Sequence, residues 1–308
     1  MNIKHVIRWA RRIFPFASPR PARGPAVGAM GILGFALLLG PTARAQTILG
    51  STGDYAVMAG STVTIGGTTT ITGNLGRAST AGAGTLTLNG MQGVITTQNQ
   101  DDFTKAYNGL EAMTPSQNLS GHILGDGGAV TTLTPGVYRF DSTAQLTGTL
   151  TLDAQGQSNA VWVFQIGSTL TTAANSSVVF TNLAANSVAN DGLFWRVGST
   201  TVFGAGTAFE GNVLGGTTFS FDSGATINNG RALTGTGQTI TLDSNTINFV
   251  AADSGYSGGL AFAGDGVTIT AVPEPAATSV LIAGFLGLIV GVRRIRRNHS
   301  DRKLDSGV

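Results

Sequence analysis

The sequence predicts a mainly β protein: a right-handed, triangular parallel β-helix of about 20 residues per coil, with one long α-helix packed along one face. Three observations carry this. The 308 residues include 45 glycines and only 11% charged residues, a composition that disfavours an all-helical core because each interior glycine costs a helix about 1 kcal/mol. Short segments alternate apolar and hydroxyl side chains, as in Thr62-Val63-Thr64-Ile65, Thr85-Leu86-Thr87-Leu88, Thr149-Leu150-Thr151-Leu152, Thr218-Phe219-Ser220-Phe221 and Thr239-Ile240-Thr241-Leu242. A period of two makes each a half-buried strand. The spacing then points to a coil, since Phe219 to Ile240 and Leu150 to Leu170 each cover about 20 residues, too short for a propeller blade and right for a solenoid turn.

Taken in order, residues 1–45 read as a secretory signal with a basic start, an apolar run from Ala26 to Leu39 and the small-residue site Ala43-Arg44-Ala45. The Arg11-Arg12 pair leaves both the general and the twin-arginine export routes open. The body spans 46–250, with bulky apolar strands such as Val161-Trp162-Val163-Phe164 and Leu193-Phe194-Trp195 between recurrences of the threonine strands. Gly, Ser and Asn supply the corners. One segment differs: Phe103, Ala106, Tyr107, Leu110 and Met113 recur at helical spacing. This predicts a helix over about 97–114, capped by Thr97, lying on the bulky apolar face near Trp162, Phe164, Phe194 and Trp195. Gly76 to Leu133 would form the excursion that holds it. Residues 251–271, rich in Gly, Ser, Ala and Asp, read as a flexible linker.

At the far end, Val272-Pro273-Glu274-Pro275 precedes an uncharged apolar stretch, 276–292, and a basic stop that begins Arg293-Arg294. At 1.5 Å per residue a helix of this length reaches roughly 26 Å, close to the lower limit for a membrane span. The positive cluster places its C-terminal side, with the tail 298–308, in the cytoplasm. The three-part pattern over 272–297 resembles the PEP-CTERM sorting signal of Gram-negative bacteria. That resemblance implies processing by the membrane transpeptidase exosortase, a transient anchor in the inner membrane, and a mature body on the cell surface or outside it.

Charge and residue types exclude most chemistry. The formal charge is +2, but thirteen of the eighteen basic residues lie before Gln46 or after Val292, which leaves the stretch between them at −9. That balance argues against a nucleic acid as partner. The chain has no cysteine, and His122 is the body's one histidine, so no zinc site, catalytic triad or cofactor motif is predicted and the protein is read as a non-enzyme. Asp126 and Asp265 each stand between glycines and read as turns rather than calcium ligands.

What remains is the threonine grid. Stacked coils place side chains about 4.8 Å apart between strands and about 7 Å apart along them. Such a rigid, almost uncharged lattice suits a repeating solid better than a small molecule, and ice is the evident candidate. Several stretches also resemble the microbial ice-binding proteins that have an irregular β-solenoid and a parallel helix. These include Ile71-Thr72-Gly73-Asn74-Leu75-Gly76, Pro135-Gly136-Val137-Tyr138-Arg139-Phe140, Gln145 to Leu152, Asn159 to Thr172, Gly230-Arg231-Ala232-Leu233 and Leu242 to Ile247. The resemblance implies adsorption to ice through one flat face. Some members carry a Thr-(Ala/Gly)-x-(Thr/Asn) motif, which Thr172-Ala173-Ala174-Asn175 matches in full, whereas Phe203 is read as an interruption of the threonine row. The candidate ice-binding residues are Thr149, Thr151, Thr169, Thr171, Thr172, Asn175, Thr218, Ser220, Thr226, Thr239, Thr241 and Thr246. Which of the three faces meets ice stays open at this level. The competing expectation is a non-catalytic envelope or matrix protein that meets exopolysaccharide.

Overall fold

Three ladders of parallel strands, built from successive passes of one chain, make up the body. The computed structural model describes residues 47–185, 187–249 and 255–272. They all lie in one unit, Ala43–Val308. The expected signal (1–45), the sorting motif from Pro273 onward, the apolar stretch 276–292, Arg293, Arg294 and the tail lie outside the described residues. Among those described, no helix is long and apolar enough to cross a membrane.

The first ladder includes Asn74–Gly76, Tyr55–Gly60, Gly192–Val197, Val161–Ile166 and Gly136–Phe140. The second runs Ser79–Ala81, Thr62–Gly66, Ile240–Asp243, Phe219–Phe221, Thr201–Phe203, Leu170–Thr172, Ala144–Leu146, Ile123–Leu124, and forms a separate eight-stranded sheet. The third includes Thr85–Asn89, Thr68–Thr72, Thr246–Asn248, Ser177–Thr181 and Thr149–Asp153. Two longer strands, Ala208–Gly215 and Thr226–Thr236, pass from the third ladder into the first and merge the two into one fifteen-stranded sheet. Their register shifts between Glu210 and Asn212, where Gly211 has φ +88°. A bulge at this point lets a strand change direction without breaking.

The order of the passes is not the order of the chain. The first coil pairs with the last, Val57 opposite Ala232, Val63 opposite Ile240 and Thr70 opposite Thr246. Residues 74–93 add one further pass outside it. The excursion is therefore shorter than the sequence predicts: 79–93 and 117–133 belong to the ladders, and the helix with its short flanks is what leaves them. The coils are also less even than the sequence predicts. In the second ladder Thr201 pairs with Phe219 and Phe219 with Ile240, both close to the expected repeat. Ala144 pairs with Leu170 and Leu170 with Thr201, and these two coils are clearly longer. Leu150 pairs with Val178 in the third ladder, so its spacing to Leu170 is not a coil repeat.

Apolar members of each alternating segment point inward. Leu150, Leu170, Phe219, Ile240 and Leu242 are all buried in one core. Aromatic rings stack along it, Phe164 on Trp195 at 3.8 Å between centroids and Phe203 on Phe221 at 4.2 Å. Such stacks fix side-chain positions between neighbouring coils and make the wall behind them stiff.

Helix α1 (Thr97–Ala112) lies along the first ladder. Its cap is Thr96, one residue before the expected Thr97, in a reciprocal capping box with Asn99. Phe103, Ala106 and Leu110 pack against Met58, Val163, Phe194, Leu214 and Leu233. Of the expected partners Phe194 faces the helix, whereas Trp162, Phe164 and Trp195 occupy alternate positions and point into the coil. A second departure concerns the expected linker. Leu260–Phe262 and Ile269–Ala271 pair as an antiparallel hairpin, and Leu260 and Ile269 are buried in the helix's own cluster. Tyr256 is buried in the main core, so residues 255–272 are part of the body rather than a spacer.

Candidate functional site: the threonine ladder

The first ladder is covered by α1 and the hairpin, which leaves the outer sides of the second and third as broad surfaces. In the second, strand register aligns a row of outward residues: Ile123, Gln145, Thr171, Val202, Ser220, Thr241, Thr64 and Ala81. Two positions earlier lies another row, which the same registers place as Thr143, Thr169, Thr200, Thr218, Thr239, Thr62 and Ser79. Neither row contains a charge. Behind them Leu170, Phe203, Phe219, Phe221, Ile240 and Leu242 are buried. Hydroxyls also meet across strands, 2.8 Å between Thr62 and Ser79 and 3.2 Å between Thr200 and Thr217. Each contact restrains a side chain in one position, which a lattice-matching surface requires.

The edge of this ladder turns into the third through a column of left-handed residues. Asn175, Gly206, Gly224, Ser244 and Gly67 have φ of 58°, 66°, 76°, 56° and 46°. Their amides continue the stacking, Asn175 N–H to Ala205 O at 2.9 Å and Gly206 N–H to Ser223 O at 3.0 Å. Gly and Asn accept this conformation at least cost, which explains four of the five corner residues, Ser244 being the exception.

The twelve candidate residues do not share one surface. Thr169, Thr171, Thr218, Ser220, Thr239 and Thr241 belong to the second ladder. Thr149, Thr151, Thr226 and Thr246 belong to the third. Asn175 is an exposed corner residue. Thr172 must be corrected: it is buried, its hydroxyl 2.7 Å from that of Thr207 and accepting the Gly204 N–H at 2.9 Å. Alternation after outward Thr171 turns it inward. Phe203 also changes role. It points into the core, and the residue that interrupts the hydroxyls is Val202, flanked by the buried Thr201. Register adds Thr62, Thr64, Thr143, Thr200 and Ser79. Thr62 and Thr64 were visible in the sequence as an alternating strand, but nothing there placed that strand beside Ile240.

The third ladder is less uniform. Thr149, Ser177, Ala208, Thr226, Thr246, Thr70 and Thr87 align, but beside them stand Val179, Glu210, Asn228 and Asn248. Burial pushes the Glu210 carboxyl up to about 7, against a weaker opposing hydrogen bond from Asn229. Elsewhere, Asp126 accepts the Gly128 N–H at 2.8 Å and Asp265 accepts those of Val267 and Thr268, all turn contacts. His122 is exposed. Among the described residues no group of three or more acidic or histidine side chains could hold a metal ion.

Known proteins are similar to the chain over most of its length. An ice-binding protein of Nostoc sp. (strain HG1) is 39% identical over 259 residues, covering 82% of this chain and 88% of the relative. An ice-binding protein of Colwellia sp. is 31% identical over 223 residues, 65% of this chain and 82% of that one. Among solved structures, an ice-binding protein of the Antarctic ascomycete Antarctomyces psychrotrophicus superimposes with a TM-score of 0.58 at 33% identity, over 67% of this chain and 98% of that one. One from an Antarctic biological consortium gives the same TM-score at 37% identity, over 65% and 90%. The family model described as ice-binding-like matches residues 57–248, the span from the first ladder strand to the last. The chain belongs to the ice-binding-like family.

Proposed function

We propose that the chain is exported and adsorbs to ice through the second ladder, slowing growth or recrystallisation, with no catalytic step. The observation that carries this is the pair of uncharged outward rows held in register across the eight-stranded sheet. Hydroxyls and methyls on a β spacing of about 4.8 by 7 Å hold water in a repeating order that can merge with a crystal face. Growth then continues only between bound molecules, where the front curves and stalls. Three successive ladders support a three-sided coil, wound right-handed as parallel crossovers are. The relatives' names and the 57–248 match support ice as the partner. Export through residues 1–45 and exosortase-dependent sorting through 272–297 rest on the sequence patterns alone.

The test is thermal hysteresis and recrystallisation inhibition of the purified body, residues 47–272, with single tyrosine substitutions. Thr171→Tyr and Thr241→Tyr place bulk on the second ladder and should remove most activity while circular dichroism stays unchanged. Thr246→Tyr, on the third, should leave it. The opposite pattern would move adsorption to the third ladder, and a body without any effect on ice would favour the envelope-matrix reading.

A further inference from the structure

One end of the coil is unfinished. Ser79–Ala81, Thr85–Asn89 and Gln92–Gly93 stand last in their ladders, each paired on one side among the described residues. In Thr85–Asn89 the direction of the free backbone groups follows from the occupied ones. Thr85 N–H donates to Gly67 O at 2.7 Å, and Asn89 O accepts from Gly73 N–H at 3.0 Å. Both groups of one residue leave a strand on the same side, and the side alternates. Positions 85, 87 and 89 therefore face the neighbouring coil, and Leu86 and Leu88 direct their N–H and C=O groups to the open end. Their side chains are only partly buried against the core, and Met91 and Val94 at the same end are each 73% exposed.

Edge strands in monomeric proteins are usually blunted by charge, proline or a bulge. Here no charged residue and no proline occurs from Ala78 to Gln100. Residues 47–272 carry a net charge of −8, whereas the end pass has a single charge, Arg77 beside Thr80, so a like chain meets less repulsion here than against the acidic remainder. The strand is also close to a palindrome, Thr85-Leu86-Thr87-Leu88-Asn89. Laid antiparallel on itself about Thr87, it sets Leu86 opposite Leu88 of the second copy, with the free groups of both matched. Thr87 meets its own equivalent at a non-hydrogen-bonded position, Cα atoms about 4.5 Å apart.

We propose that this end binds a second copy of the chain, edge to edge, on a two-fold axis through Thr87. The match is isologous and closes at two copies, the leucines of both end coils cover each other, and the second ladder of each copy stays open. This does not depend on ice adsorption.

The chain contains no cysteine, so Thr87→Cys introduces a single thiol at a separation that suits a disulfide. Mild oxidation of the whole chain should give a covalent dimer on a non-reducing gel, whereas Thr241→Cys, on the second ladder, should stay monomeric. Light scattering should give twice the chain mass for the unsubstituted protein and a single mass for Thr87→Lys, which sets two ammonium groups opposite each other without touching inner pairing. A monomeric unsubstituted chain, a Thr87→Cys variant that crosslinks no more than Thr241→Cys, or a dimer that survives Thr87→Lys would each overturn the proposal.

Discussion

The amide nitrogen of Gln165 donates to the Leu110 carbonyl at 2.7 Å and ties the C-terminal turn of α1 to a strand of the first ladder. The same nitrogen lies 2.7 Å from the Met113 carbonyl and 3.2 Å from that of Glu111, so the two N–H groups of one buried side chain are shared among three carbonyls that a helix end leaves without partners. Nearby, Arg196 pairs with Glu111 at 2.7 Å and lies over the Tyr107 ring. At the other end Asp102 accepts the Ser51 N–H and hydroxyl, at 2.9 and 2.7 Å. The helix is pinned at both ends.

Gln165→Leu keeps the volume and removes the donor, which leaves buried carbonyls unpaired. A loss of about 1–3 kcal/mol is expected. Gln165→Glu should cost more, because a carboxylate would face the same oxygens. Thermal unfolding followed by circular dichroism checks the order.

Thr172→Val separates a buried threonine from a surface one. Loss of the Gly204 and Thr207 contacts should cost about 1 kcal/mol, while thermal hysteresis per folded molecule stays unchanged. Hysteresis that fell as far as in Thr171→Tyr would contradict its interior role.

Val202 is the apolar gap between Thr171 and Ser220. Val202→Thr continues the hydroxyl row with little change of volume and should raise hysteresis at unchanged stability, measured on the same body.

Glu210 gives the fold a pH dependence. Its carboxyl keeps its proton in the folded state up to about 7, above its unfolded value, so stability is fully present below the unfolded pKa and is lost as pH rises to about 7. The change is on the order of 1–3 kcal/mol, reduced by partial solvent access. Glu210→Gln should flatten the melting temperature between about pH 4.5 and 7.

Residues 255–272 belong to the folded unit, so a body that ends at residue 249 should melt roughly 5–10 °C below one that ends at 272. Equal melting temperatures would restore the linker reading.

Alternation and helical spacing were legible in the sequence because each is local: Thr239-Ile240-Thr241-Leu242 shows its inner and outer sides, and Phe103, Ala106 and Leu110 show one stripe. What joins to what was not legible. Corners of unequal length make the coil from Leu170 to Thr201 far longer than the one from Thr201 to Phe219. The even spacing of Leu150 and Leu170 therefore joined strands of different ladders, and the candidate threonines were gathered from two surfaces. At Thr201-Val202-Phe203 the phase of the alternation is ambiguous by composition, because a hydroxyl and a ring both turn inward. The hairpin was hidden by its flanking glycines and serines, since Leu260 and Ile269 are enough to seat it on the helix.

The pairing of Val57 with Ala232 joins the opening of the body to its close, and it constrains when the molecule can form. Until the closing coil has been made the opening coil is paired only with residues 74–93, so a chain interrupted before Thr246–Asn248 lacks that coil's second neighbour rather than being a shorter working version. Contacts this distant along the chain slow folding. Assembly of the complete solenoid therefore waits for nearly the whole chain, and the last coil made is the one that locks the first in place.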